Sequence, residues 1–278
     1  MKESVSTYGG GFNNMATQPG EWSRFDRREK LIRRGGLLLT GVLAVLAWIA
    51  LDVTWSWVLA APREINDMFV RMWPPDIGYT AEIVVPLIDT IHIAVLGTAA
   101  ALILAGPVAY IGAENTTLNR YTLFLGKFII SATRSVNVII WALFFVIVFG
   151  PGVLAGVFAV AFRSIGFCAK LLAEAIEEIN PGPVEAMEAA GANYFDQLIY
   201  AIVPQIKPAF VGVATYRWDI NVRSATVLGL VGAGGIGQNL DEMMAFFAWD
   251  AVLTILLAIL VVVIFSEGIS AYSRKKVS

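Results

Sequence analysis

Six stretches of mostly apolar residues, near 36–57, 83–111, 121–149, 152–175, 208–230 and 251–272, restrict this chain more than any other feature. A hydrocarbon layer about 30 Å thick is crossed by roughly 20 apolar residues in a helix. Of the 278 residues 57% are hydrophobic and 15% are charged, whereas a soluble domain carries about 25% charged residues. One soluble core cannot hide that much apolar surface. In lipid, a helix satisfies its own backbone within each segment. The expected fold is an all-α polytopic membrane protein of six transmembrane helices.

Punctuation and charge organise the six. Gly150-Pro151-Gly152 leaves room only for a hairpin between the third and fourth. Residues 61–71 read as a short amphipathic helix at the interface, ended by Trp73-Pro74-Pro75. Arg24, Arg27, Arg28, Lys30, Arg33 and Arg34 precede the first stretch, and Arg274, Lys275 and Lys276 follow the last. Lys and Arg collect on the cytoplasmic side, so both termini are expected there, as six crossings require. The loop 231–250 has no Lys or Arg but holds Asp241 and Glu242, and is expected outside. The chain divides into a cytosolic tail 1–34, a first helix with its external amphipathic segment 35–80, a membrane core 81–273 and a basic tail 274–278. About 34 polar and then basic residues come first, so no cleavable signal peptide is expected.

Several chemistries drop out. A single cysteine, Cys168, permits no intrachain disulfide, and a single histidine, His92, removes most zinc and histidine-based catalytic schemes. No metal site is expected. His92 and Asp89, three apart, are more simply a mutually satisfied pair than a proton relay. A net charge of −2 says nothing for a nucleic-acid partner, and none is expected. Gly232-Ala-Gly234-Gly-Ile-Gly237 matches G-x-G-x-x-G but follows a membrane helix, where a dinucleotide fingerprint needs a strand. No phosphate-binding G-x-x-x-x-G-K-[ST] loop is present, so ATP hydrolysis would fall to another polypeptide. An intramembrane protease built on Asp89 and Asp219 lacks its usual glycine motifs. A passive anion channel would suit basic residues in helices but leaves the segment between helices four and five unexplained.

That segment, about 179–205, runs Glu178-Ile-Asn-Pro-Gly-Pro-Val-Glu185-Ala186-Met187-Glu188-Ala-Ala-Gly191 and on to Pro204. Pro181 and Pro183 pre-set a helix start, and Glu185 and Glu188 stand in its first turns, where the dipole favours acids. Gly191 should break this helix after about two turns, with a second helix following as far as Pro204. On physics alone it is a cytosolic helical loop. Its spacing, Glu-Ala, then Gly, then Pro thirteen residues on, resembles the coupling motif of binding-protein-dependent ABC importer permeases, with Glu185, Ala186, Gly191 and Pro204 at the motif positions. Met187 replaces the usual second alanine. The resemblance implies a type I importer permease whose short helix, with Glu188 also on it, docks on the ATPase. It also implies a homodimer with two ATPase subunits, which use ATP and Mg, and an extracytoplasmic binding protein. No cofactor is expected in this chain.

The run Tyr216-Arg217-Trp218-Asp219-Ile220-Asn221-Val222-Arg223-Ser224-Ala225 resembles the phosphonate branch of these permeases, as do Ala132-Thr-Arg134-Ser135 and Ala173-Glu174-Ala-Ile-Glu177-Glu178. Asp219 stands where that branch usually has Glu. The resemblance covers about 85–272 and implies import of a phosphonate or related phosphorus oxyanion by alternating access; another small solute, such as an amino acid, is the alternative. An ionised group at mid-bilayer costs about 2.5–3.5 kcal/mol, so it usually marks a pathway or a pair. Asp219 and Arg223, four apart, can neutralise each other, which leaves Arg134 and Arg217 uncompensated. Arginine's planar fork suits phosphorus oxyanions. The pathway candidates are therefore Arg134, Asn137, Arg217, Asp219, Asn221, Arg223 and Ser224. Gly232, Gly234, Gly235 and Gly237 are expected in a flexible external loop that, as the family implies, touches the binding protein.

Overall fold

The structure, a computed structural model, describes residues 27–51 and 54–277. All regular elements among them are helical. The chain divides into two units, residues 1–64 and 65–278. Most of the expected N-terminal tail lies outside the described residues.

The first unit holds α1 (Arg27–Ala50) and the start of α2 (Trp55–Met72). Every side chain described in α1 is exposed, as suits a helix solvated by lipid. The single helix expected over 36–57 instead ends at Ala50, and α2 starts after Thr54, whose carbonyl accepts from Trp57 N at 3.0 Å. The expected amphipathic segment is the second half of α2, which stops before Trp73-Pro74-Pro75.

The second unit is built on α3 (Thr80–Gly112), α4 (Arg120–Ser135), α5 (Val138–Phe149), α6 (Val153–Glu177), α9 (Val203–Leu228) and α11 (Trp249–Val277). The short α7 (Pro181–Ala189) and α8 (Tyr194–Gln197) lie between α6 and α9, and α10 (Ile236–Ala245) between α9 and α11. Among the described residues five helices are long and apolar enough to cross a bilayer, α1 included, and the bent pair α4–α5, counted as one broken span, makes a sixth. The six-helix fold expected from sequence is therefore present.

Three local expectations are corrected. The stretch 121–149 is not one helix but bends by 91° between α4 and α5. Asn137 is the cause: its Oδ1 accepts from Ile139 N at 3.0 Å and its carbonyl from Ile140 and Trp141, so it caps a new helix. Nor does Pro204 end a helix. A π-helical turn (Leu198–Ile202) leads straight into α9, and Pro204 falls in its first turn, where a missing N–H costs no bond. Lastly, the glycine turn after α9 is packed, not an open flexible loop: Gly234, Gly235 and Gly237 are buried and Gly232 half-buried. Gly235 has φ +77°, and a Cβ there would stand 2.6 Å from Thr90 Oγ1. That hydroxyl accepts from Ile236 N at 2.8 Å, so the turn pins the start of α10 onto α3.

Three apolar clusters lie in the second unit, the smallest of them Ile83, Ile236 and Ile255, and the two larger ones run along its long helices. One joins Ile93, Phe145, Val160, Val222 and Leu228; the other joins Ala105, Ala109, Ile130, Cys168, Leu172 and Ile202. Along α3, α6 and α9 the boundary between them falls near residues 98, 164 and 217–221. Polar side chains collect there.

Candidate translocation site

Ser164, near the middle of α6, is the hub of a buried polar belt. Arg217 on α9 donates from Nε to Ser164 Oγ at 2.8 Å, and its guanidinium carbon lies 5.0 Å from the centre of the Phe167 ring. Asn221, one turn on, donates from Nδ2 to Ser164 Oγ at 3.0 Å and to Thr98 Oγ1 at 2.8 Å. Thr98 passes its own proton to Ala94 O, 2.6 Å away. The belt thus ties α3, α6 and α9 at mid-depth by hydrogen bonds that lipid could not supply. Arg217 is buried and turned toward α6, so its guanidinium serves the belt.

On the other side of α9, Asp219 is ion-paired with Arg223 as the i, i+4 spacing predicts, and Ser266 Oγ donates to its Oδ1 at 3.3 Å. The pair is lopsided: Asp219's side chain is 10% exposed and Arg223's 53%. Arg223 and Ser224 reach a groove of about 570 Å³ between α5 and α9, lined also by Val138, Ile139, Tyr216 and Ile220. Ser224 Oγ donates to Ile220 O at 2.9 Å.

Arg134 goes elsewhere. It lies on an exposed edge of α4 and opens into a cleft between α4 and α6 with Lys127, Ser131, Lys170 and Glu174. The seven pathway candidates therefore separate into a buried belt (Arg217, Asn221 and, beside it, Asp219), a groove (Arg223, Ser224), a cleft (Arg134) and a helix cap (Asn137). His92 and Asp89 stand 3.9 Å apart on α3, both partly exposed.

Sequence reasoning missed Ser164 and Thr98, because a hydroxyl in an apolar helix carries no pattern of its own. It also passed over Arg163 and Lys170, although both stand in the fourth apolar stretch and the insertion cost that singled out Arg217 applies equally to them.

At the opposite end of α6 the segment with Glu185, Ala186 and Glu188 forms α7, none of whose residues is buried. Asn180 caps it, its Oδ1 accepting from Gly182 N at 3.0 Å. Gly191 ends it in a left-handed conformation (φ +75°), with Ala192 N donating to Met187 O at 3.0 Å. Two clamps hold the segment to the bundle. Gln205, beside Pro204, accepts from Asn180 N at 2.9 Å and donates to Asn180 O at 3.3 Å, and Tyr194 donates its hydroxyl proton to Thr116 O at 2.8 Å. A push on α7 would reach the first turn of α9 directly.

Helices long enough to cross the bilayer around a polar belt, with a short helix held out beyond them, fit a membrane transport component. The chain belongs to the family of binding-protein-dependent transport system inner membrane components, which matches over residues 105–278. It is 35% identical over 260 residues to the phosphite transport system permease protein PtxC of Stutzerimonas stutzeri, covering 90% of this chain and 94% of that one. It is 36% identical over 231 residues to the phosphate-import permease protein PhnE of Mycolicibacterium smegmatis, covering 83% of this chain and 43% of that one. Its fold is similar to that of the MetNI methionine ABC transporter in inward-facing conformations, with TM-score 0.61, 21% identity, and 70% of this chain and 96% of that one covered. Membership makes this a multi-pass protein of the inner membrane and implies an ATPase and a binding protein as partners.

Proposed function

We propose that this permease carries a small phosphorus oxyanion (phosphite, phosphate or a phosphonate) into the cell by alternating access. It works as a homodimer above two ATPase subunits, with both termini cytoplasmic and the binding protein delivering from outside. The observation that carries the substrate class is the near full-length likeness to a phosphite permease, joined by a likeness to a phosphate-import permease. The phosphonate-type motifs around Arg134 and Arg217–Ser224 agree with it. Chemistry at the path is electrostatic: Arg223, half free of Asp219, and Ser224 offer donors in the groove between α5 and α9, and no bond is made or broken. ATP-driven closure moves α7, and the Gln205 clamp carries the motion into α9.

The test is ATP-dependent uptake by proteoliposomes holding this subunit with the ATPase and binding protein encoded beside it. Labelled phosphite, methylphosphonate and orthophosphate would be offered singly and in competition. ATP-dependent uptake of any of the three supports the reading, and the competition ranks them. Uptake that ignores ATP would replace the importer with a channel, and transport of none of them would overturn the substrate class.

A further inference from the structure

The cleft between α4 and α6 has no role in the reading so far. It is a cavity of about 360 Å³ lined by Lys127, Ser131 and Arg134 on α4 and by Lys170, Glu174 and Glu177 on α6, with Gly112 and Ile130 at its floor. On α4 these residues recur at i, i+4 and i+7, and on α6 at i, i+4 and i+7 as well, so two charged stripes face each other. The helices approach closely because of Gly166, where a Cβ would stand 2.7 Å from Ile130 O and 2.9 Å from Arg134 Cγ. That contact fixes the depth of Arg134. Gly166 lies about 16 Å from the inner end of α6 at Glu177, at 1.5 Å per residue, and so near the middle of the bilayer. The stripe then descends through Lys170 and Glu174 to Glu177 at the cytoplasmic end.

The charges change along the way. At the mouth Lys127 Nζ is 2.6 Å from Glu114 Oε1, and Glu177 Oε1 accepts from Glu114 N at 2.9 Å. One step deeper Lys170 Nζ is 2.6 Å from Glu174 Oε1. At the deep end Arg134 has no acidic partner within ion-pair distance among the described residues. Net positive charge therefore falls from mid-membrane to the cytoplasm. These side chains are about half exposed, and charged groups at membrane depth face water or protein, not lipid.

We infer that the α4–α6 cleft is the water-filled inner half of the transport path, in which Arg134 receives the phosphorus oxyanion and the acid-paired lysines below it let the anion go to the cytoplasm. The inference rests on the substrate class proposed above. A lone guanidinium attracts the anion, but one cation cannot trap it. Lys170 and Lys127 are each neutralised by a carboxylate, so affinity declines stepwise toward the exit. A deep site without that gradient would hold its cargo.

Ser131, halfway down the α4 stripe, provides the probe. With Cys168 replaced by alanine, S131C is the sole thiol of this chain, and it is labelled in the complex with the ATPase and binding protein and read on this subunit alone. In inside-out vesicles its rate of modification by an anionic and by a cationic methanethiosulfonate is compared, each divided by its rate on a free thiol. The expected preference for the anionic reagent is about tenfold, because Ser131 lies beside Arg134, the one cation of the cleft without an acidic partner among the described residues, and a focused positive potential concentrates anions. Phosphite or methylphosphonate should slow the anionic reagent. Adding R134Q should bring the two rates together, while R134K keeps most of the preference. Equal rates without R134Q, or a thiol that neither reagent reaches, would overturn the inference. So would, in a complex that does import phosphite or methylphosphonate, an anionic preference that neither compound diminishes. If the complex imports no phosphorus oxyanion yet the anionic preference stands and R134Q abolishes it, the substrate class fails and the anion-selective cleft survives.

Discussion

The polar belt and the inner cleft lie side by side on α6, a single turn apart, and use the same kinds of residue. In the belt, Arg217, Ser164, Asn221 and Thr98 hydrogen-bond to one another inside the bundle. In the cleft, Lys127, Lys170 and Glu174 are half exposed, and Arg134 stays unmatched. Partnership separates them, not composition. A polar group that finds a partner within the bundle fixes helices to each other, whereas one left open demands water, a ligand or a second copy. Thermal stability should fall when the first kind is removed, and transport when the second is.

The largest loss of stability is expected at the lopsided pair beside the belt. R223Q leaves the nearly buried Asp219 carboxyl without its counter-charge, with Ser266 as its remaining partner. Stranding a buried charge costs about 3–5 kcal/mol, and the half exposure of Arg223 brings the expectation to about 2–3 kcal/mol. D219N strands only a half-exposed guanidinium and should cost about 1 kcal/mol or less. Melting both variants in one detergent, with the double variant to close the cycle, measures the asymmetry; equal losses would show that the burial difference has no energetic weight. Next is N221L, which keeps the volume but removes the bonds to Thr98 and Ser164. Interhelical hydrogen bonds in membranes average about 0.6 kcal/mol and reach about 1.7, so a loss of about 1–2 kcal/mol is expected. A Tm unchanged from the parent would dissolve the distinction between belt and cleft.

Much of this arrangement was legible in the chain and some was not, for physical reasons. The spans follow from apolar length, and the Asp219–Arg223 pair from spacing, because both are local. The break at Asn137 was hidden because apolar residues flank it on both sides and hydropathy does not sense a cap. Pro204 read as a stop since proline ends helices, but after a π-helical turn it begins one. The destinations of Arg134 and Arg217 could not be told apart: both are arginines in apolar helices, and which finds a partner is decided by Ser164 and Gly166 on a different helix. The glycines of 232–237 read as a flexible loop by composition, whereas close packing requires three of them, Gly235 against α3, Gly234 against the start of α6 and Gly237 against the end of α9.

A smaller effect should come from G191A. Gly191 ends α7 with φ +75°, a conformation that costs an L-residue about 1–2 kcal/mol, and open space surrounds its Cβ position. The strain is therefore local to an exposed helix, and the global Tm should move by less than that figure suggests. Coupling should suffer more than folding. Binding-protein-stimulated ATP hydrolysis and uptake, measured together in proteoliposomes, would show uptake per ATP falling; a ratio equal to the parent's would mean that the end of α7 tolerates the change.

The smallest change in stability, and the sharpest break in the comparison, is expected for R134Q. Arg134 is exposed on α4, and among the described residues no acid is stranded when it is neutralised, so stability should stay within about 0.5 kcal/mol of the parent, as at ordinary surface positions. Removing an unmatched charge from an apolar span even relieves some insertion cost, and a slight stabilisation is consistent with that. Uptake should nevertheless fall by about tenfold, the size of the counter-ion concentration a focusing charge provides, and R134K should recover part of it. N221L is its mirror image: it should lose Tm while keeping, in whatever fraction stays folded, the parent's turnover per complex. If both variants lost stability and transport in proportion, the cleft would be one more piece of the scaffold. Opposite profiles at two sites one helical turn apart would locate the aqueous boundary between them, on the face of α6 that carries Gly166.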